Sequence, residues 1–188
     1  MDLIVVIGIV AVVLALALFF MYNTLVGRRN QVDNAFASID AMLKKRYDLI
    51  PNLVATVQQY AAHERELLTS LTDIRARALA ASPSPDQRVQ LDSQLSQALR
   101  QVMVVAENYP DLKASQNFVQ LQGSLNEVEE QISAARRAYN AAVTSYNNSV
   151  QMMPTSLIAS MFNFTPRSLF EIPEAERQNV DVGALFKR

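Results

Sequence analysis

The chain has no cysteine. Disulfides, thiolate nucleophiles and thiolate metal sites are therefore excluded. It has one histidine, His63, with Glu64 and Glu66 beside it. The zinc-peptidase helix needs two histidines one turn apart and a glutamate base, and here the second histidine is missing with no cysteine to replace it. Glycine is scarce: four residues, none arranged as a loop that could cradle phosphate. No serine or threonine sits in a nucleophile-elbow motif. The net charge of −1 gives no bulk field to draw nucleic acid or acidic substrates. No catalytic residue, metal site, cofactor or small-molecule substrate is expected from this inventory. Low glycine with abundant Ala, Leu, Gln and Arg favours long helices over sheets.

Leu3 to Met21 is a run of 19 residues without a polar side chain. As a helix it spans about 28 Å, close to the hydrocarbon core of a bilayer. Tyr22 follows at an interfacial position. A secretory signal peptide would carry a cation before the run and a small-x-small cleavage pattern after it, and neither is present. The basic flank lies downstream, at Arg28 and Arg29 and then Lys44, Lys45 and Arg46. The positive-inside rule then predicts a bacterial inner-membrane protein with its N-terminus outside and its domain in the cytoplasm.

Beyond the anchor the apolar positions keep helical spacing. Val32, Phe36, Ile39, Leu43, Tyr47 and Ile50 advance by threes and fours, then Val54, Val57, Ala61, Leu67 or Leu68, Leu71 and Ile74. Pro51 lies within the pattern and predicts a kink. One kinked helix is expected to end near Ala81. Ser82-Pro83-Ser84-Pro85 stops it, and Ser84 with Gln87 reads as a capping box for a second helix with Leu91, Leu95, Leu99 and Val102 on its face. Asn108-Tyr109-Pro110 ends that helix. The third carries Phe118, Leu121, Leu125, Val128, Ile132, Ala135, Tyr139, Ala142 and Tyr146 at a sustained 3.5-residue period. Pro154 starts a short fourth helix with Leu157, Ile158, Met161 and Phe162. The expected fold is all-α: a single N-terminal transmembrane helix continuing into an elongated antiparallel bundle of three long helices plus a short fourth. The expected divisions are an anchor over 1–22, a bundle over 23–164 and a mixed tail over 165–188.

Several blocks in order resemble the LemA family: Tyr22-Asn23, Arg28 to Asn34, the run Leu43 to Val54 with Lys44-Lys45-Arg46-Tyr47-Asp48, and Tyr60 to Glu64. The second half adds Tyr109 to Lys113, Asn117-Phe118, Leu121-Gln122, Arg136 to Asn140 and Tyr146-Asn147. Two positions depart from the family pattern. Phe36 stands where a tryptophan is usual, and Met153 stands before Pro154 where an aromatic is usual. The resemblance implies a bacterial single-pass membrane protein with an antiparallel helix bundle. It implies no established enzymatic activity, and a loose connection with envelope and membrane organisation or membrane-protein quality control.

Three groups of side chains have ordinary readings. His63 reads as a satisfied polar histidine on a helix, Asp33, Asp40 and Asp48 as solvated carboxylates, and Lys44-Lys45-Arg46 as a solvated helix face. The unusual feature is a gap in charge. From Ala138 to Pro166 there are 29 residues and no Asp, Glu, Lys or Arg, where average composition supplies roughly seven. Burial within the chain and contact with a partner both explain such a gap. Helix-length arithmetic gives the third helix an overrun of about 30 Å past the second, which favours a contact surface. Tyr139, Tyr146, Val150 and Met153 form its stripe and are expected to mediate self-association. The expected function is a membrane-tethered, non-enzymatic scaffold or adaptor, a homo-oligomer whose partners are the lipid bilayer and an unidentified membrane protein. Alternatives are a membrane-attached hydrolase using His63 and nearby carboxylates, or a transmembrane signal transducer, which needs an outer domain that two residues before the span do not supply.

Overall fold

The computed structural model describes residues 3–80 and 85–170, and among these six helices and no strand. They are α1 (Leu3–Tyr60), α2 (Arg65–Leu79), α3 (Pro85–Glu107), α4 (Pro110–Ala114), α5 (Gln116–Gln151) and α6 (Thr155–Met161). The Ser84 capping box and the tail from residue 171 lie outside the described residues. The chain forms two compact units. One comprises the residues up to Asp40 with Ser133–Phe170, the other Ala41–Ile132.

The second unit is a set of antiparallel helices. The first long helix does not reach Ala81 but ends at Tyr60, where Ala61 to Glu64 reverse the chain and α2 folds back. No glycine or proline marks this reversal. A continuous helix would carry Glu64 and Arg65 one turn beyond Ala61, onto the face that Val57 and Ala61 bury. Reversal keeps both charges off the core, and the stripe resumes at Leu68, Leu71 and Ile74. The third long helix is also interrupted. Ser115 is extended (ψ 125°) between α4 and α5, and its carbonyl accepts the Val119 N–H at 3.0 Å. Serine is a favoured residue at a helix start.

Pro51 lies inside α1 without ending it. Its ring nitrogen cannot donate, so the carbonyl four residues earlier, on Tyr47, loses its helical partner. Arg75 Nε on α2 donates to that carbonyl at 3.0 Å. The hairpin therefore repairs the defect that proline makes.

The basic run divides. Lys44 is exposed and pairs with Asp48 at 2.8 Å, one turn on. Arg46 is not solvated. It is 4% exposed, bonds Asp92 on α3 at 2.8 Å and lies 2.9 Å from Glu129 on α5. Ile39, Leu43, Ile50, Leu53 and Val57 are all buried, and Arg46 occupies the open position in that alternation of fours and threes. A buried pair of this kind favours correct pairing of helices more than raw stability.

The Tyr47 carbonyl gives a direct test of the proline repair. Arg75→Met should destabilise detergent-solubilised protein by about 1–3 kcal/mol in urea unfolding, because a backbone acceptor loses its donor. In a Pro51→Ala background the restored N–H takes the carbonyl, and the penalty should shrink. An equal penalty with either residue at 51 would contradict the repair.

Candidate functional site

The first unit contains the anchor and the charge-free stretch. The apolar side chains of α1 from Leu3 to Phe20 are almost all exposed, and this helix is long and apolar enough to cross a membrane. One turn past the apolar run the exposure changes abruptly: Leu25 is 0% exposed and Val32 is 2%. What covers them is the end of α5. Leu25, Val32, Val143, Tyr146, Val150, Ile158, Ala159 and Phe164 form one buried cluster, with Met21, Val26, Tyr139 and Ala142 packed against it.

Polar contacts fix the direction of α5. Arg28 Nη1 donates to the Ser145 hydroxyl and to its carbonyl, and the Phe36 ring lies 5.8 Å from that of Tyr139. Each step forward on α5 is thus a step back on α1, towards the anchor. The same register brings Val150 level with Leu25, and Met152 and Met153 level with Met21 and Tyr22. The stripe that arithmetic on straight rods left without a partner in the chain has one. Tyr146 (1% exposed) and Val150 (9%) are interior residues of this unit rather than a self-association surface, Tyr139 is half-buried, and only Met153 (69%) is open. The reversal at Ala61 is the physical reason. It adds one helix to the order and so turns α5 antiparallel to α1.

After α5 the chain makes an elbow. Thr155 Oγ1 donates to the carbonyls of Ser149 (2.6 Å) and Met152 (3.0 Å). Helix α6 ends at Met161, and two residues on Asn163 has a left-handed φ of 55°, a conformation asparagine tolerates. The Phe164 N–H returns to the Ala159 carbonyl at 2.9 Å, the bond that closes a Schellman motif. Phe164 joins the cluster, and Arg29 stacks over its ring at 5.4 Å.

From Thr165 the chain runs back along α5 as a strap. Asn147 Nδ2 donates to the Arg167 carbonyl (2.9 Å) while its Oδ1 accepts the Arg167 N–H (2.9 Å). Asn140 does the same with Phe170, at 3.0 and 2.8 Å. The spacing fits the geometry. Seven helical residues rise about 10.5 Å, and three extended residues cover about 10 Å. The tyrosine before each asparagine adds a bond: Tyr146 to the Thr165 carbonyl at 3.1 Å and Tyr139 to the Ser168 carbonyl at 3.2 Å. Burial pushes the Tyr139 phenol above its ordinary pKa; Asp33 adds to the rise and Arg167 opposes it. The hydroxyl therefore remains a donor at neutral pH. Asn140 and Asn147 stand in the sequence only as parts of the family-like blocks; their role in holding the strap was not read there, although a Tyr-Asn pair repeated after seven residues was the available signal.

His63 is exposed in the turn between α1 and α2 rather than on a helix, and no group of three or more His, Cys, Asp or Glu able to hold a metal occurs among the described residues. Asp33 faces Arg167 at 3.8 Å with both side chains half in solvent.

Replacing Asn140 and Asn147 together by alanine removes four hydrogen bonds from the strap, about 2–4 kcal/mol of local closure. Tryptic cleavage after Arg167 should accelerate several-fold while helical circular dichroism stays unchanged. Unaltered cleavage would show that the asparagines do not hold the strap.

The chain matches the LemA family over residues 35–183. It is 28% identical to Protein LemA of Metamycoplasma hominis over 171 residues, covering 89% of this chain and 78% of that protein. It is 25% identical to Magnetosome protein MamQ 2 of Paramagnetospirillum magneticum, covering 97% and 76% of the two chains. Magnetosome protein MamQ of Magnetospirillum gryphiswaldense is 22% identical, over 78% of this chain and 63% of that one. A helical domain built on a membrane-length apolar helix marks a membrane-associated protein, and the chain belongs to the LemA family.

Proposed function

We propose that this protein is a membrane-tethered, non-enzymatic scaffold or adaptor in a bacterial inner membrane, with its helical domain on the cytoplasmic side. One observation carries the reading. The helix whose exposed apolar segment is long enough to cross the bilayer is the same helix whose next turns, at Leu25, Val32 and Ile39, are buried in the folded domain. No joint separates tether from domain, so the domain is held at the membrane surface. The arginines at 28 and 29 support the cytoplasmic side. The names of its relatives state no reaction.

The surface offered to partners is the face between α2 and α3. It forms an open groove of about 630 Å³ whose lining includes Arg65, Glu66, Asp73, Arg77, Gln94 and Gln97. Small-molecule sites are enclosed and mostly apolar, whereas charges of both signs over an open groove suit a protein surface. A photo-crosslinking residue at Gln97 should give discrete heavier adducts in intact cells. Those adducts should survive protease added to spheroplasts and be lost in inverted vesicles. Monomer alone after irradiation would contradict the adaptor role, and loss of adducts in spheroplasts would reverse the orientation.

A further inference from the structure

We propose that the α5–α6 elbow is a second membrane contact, an apolar foot that enters the headgroup and upper acyl region of the phospholipid leaflet from which α1 emerges. The inference rests on the tethered reading and goes beyond it, because it assigns lipid to a part of the chain far from the anchor in sequence.

Position comes first. Tyr22 ends the apolar run of the anchor, and its ring lies 4.9 Å from that of Phe162 and 5.9 Å from that of Phe164. The elbow is therefore at the depth of the anchor's last turn. Surface character comes second. Helix α6 buries Ile158 and Ala159, while Leu157 (56% exposed), Met161 (70%) and Phe162 (56%) face outward beside Met152 (62%) and Met153 (69%). Contiguous exposed side chains of this size mark an interaction site. The surface is continuous with the lipid-facing surface of α1, which already fixes the chemistry of the neighbour.

Charge comes third. Within this unit the described charged residues are Arg28, Arg29, Asp33, Asp40, Arg136, Arg137 and Arg167. In the register of α5 against α1 they all lie on the domain side of the elbow. Arginines then stand where phosphates begin, and the side chains below them are uncharged.

The backbone of the elbow is compatible with this placement. Lipid tolerates backbone only where its polar groups are bonded internally. At the elbow, Met152 N–H bonds Asn148 O (2.8 Å), Ser156 N–H bonds Met152 O (3.0 Å), and Phe162 N–H bonds Ile158 O (3.0 Å). Hydroxyls are bonded to backbone as well: Thr155 to Ser149 O and Ser160 to Leu157 O (2.9 Å). The elbow therefore meets the condition that lipid sets.

The chain contains no tryptophan, so a single introduced indole reports its own surroundings. Full-length protein carrying Phe162→Trp would be reconstituted in phosphatidylcholine–phosphatidylglycerol vesicles, with Val12→Trp as the anchor reference and Val104→Trp as the solvent reference. The foot predicts blue-shifted emission for Phe162→Trp, loss of that emission with lipids brominated near the headgroup, and acrylamide quenching several-fold weaker than for Val104→Trp. Val12→Trp should respond to lipids brominated deep in the chain. Water-like emission from Phe162→Trp with a lipid-quenched Val12→Trp would overturn the foot and leave the tether standing. Blue-shifted emission that brominated lipid does not quench would also overturn it, by showing that protein covers the elbow. No lipid quenching at either site would overturn the tether and the foot together.

Discussion

Tyr146 sits at the constraint on which the membrane-proximal unit depends. Its ring is among the largest fully buried side chains in the protein, and it shares a core with Leu25 and Val32 of α1. That core exists only because α5 returns towards the anchor. The return places Val150 beside Leu25, drops the elbow to the level of Tyr22, and gives the strap a helix face on which Asn140 and Asn147 can bind. Each later feature of the unit is a consequence of this one antiparallel contact. Aromatic burial of this size contributes about 2–3 kcal/mol per side chain, more than the surface ion pair between Asp33 and Arg167 can add.

The second unit shows a different economy of interactions. Its core is apolar along α1, α2, α3 and α5, but two positions break the pattern and each is matched by a partner on another helix. Pro51 leaves the Tyr47 carbonyl without a donor, and Arg75 supplies one. Arg46 takes an apolar slot, and Asp92 with Glu129 neutralises it. Both partners sit on helices distant in sequence. A wrong pairing of helices would leave a buried carbonyl or a buried charge unsatisfied, and that penalty disfavours alternatives more strongly than apolar packing alone.

Much of this was legible in the sequence. The apolar run, the absence of strands and the helical stripes follow from composition and period, and the helix starts at Pro85 and Pro110 follow from proline. The turn at Ala61 to Glu64 carried no glycine or proline, so it was hidden from punctuation. Its trace was a stripe that jumps from Ala61 to Leu68 with charges in between. Arg46 left a fainter trace, because Tyr47 beside it already continued the apolar stripe from Leu43 to Ile50 and both side chains are buried. The largest correction follows from the missed turn. Without it the helix order points α5 away from the bilayer, and the charge gap reads as an overhang. With it the same gap divides into a buried stripe at Tyr146 and Val150 and an open surface at Met152, Met153, Leu157, Met161 and Phe162. The strap was harder to see, because side-chain amides that bind extended backbone follow no apolar period.

The direction of α5 against the membrane-proximal part of α1 is the central claim, and a distance between spin labels tests it most directly. Asn30 and Thr144 are both exposed and lie at the same level along the two helices in the observed register. With no native cysteine, nitroxides attach only where cysteines are introduced. In vesicles the pair should lie within about 30 Å, the reach of outward labels on packed neighbouring helices. A separation beyond about 60 Å, the outcome if α5 ran away from the anchor, would contradict the account.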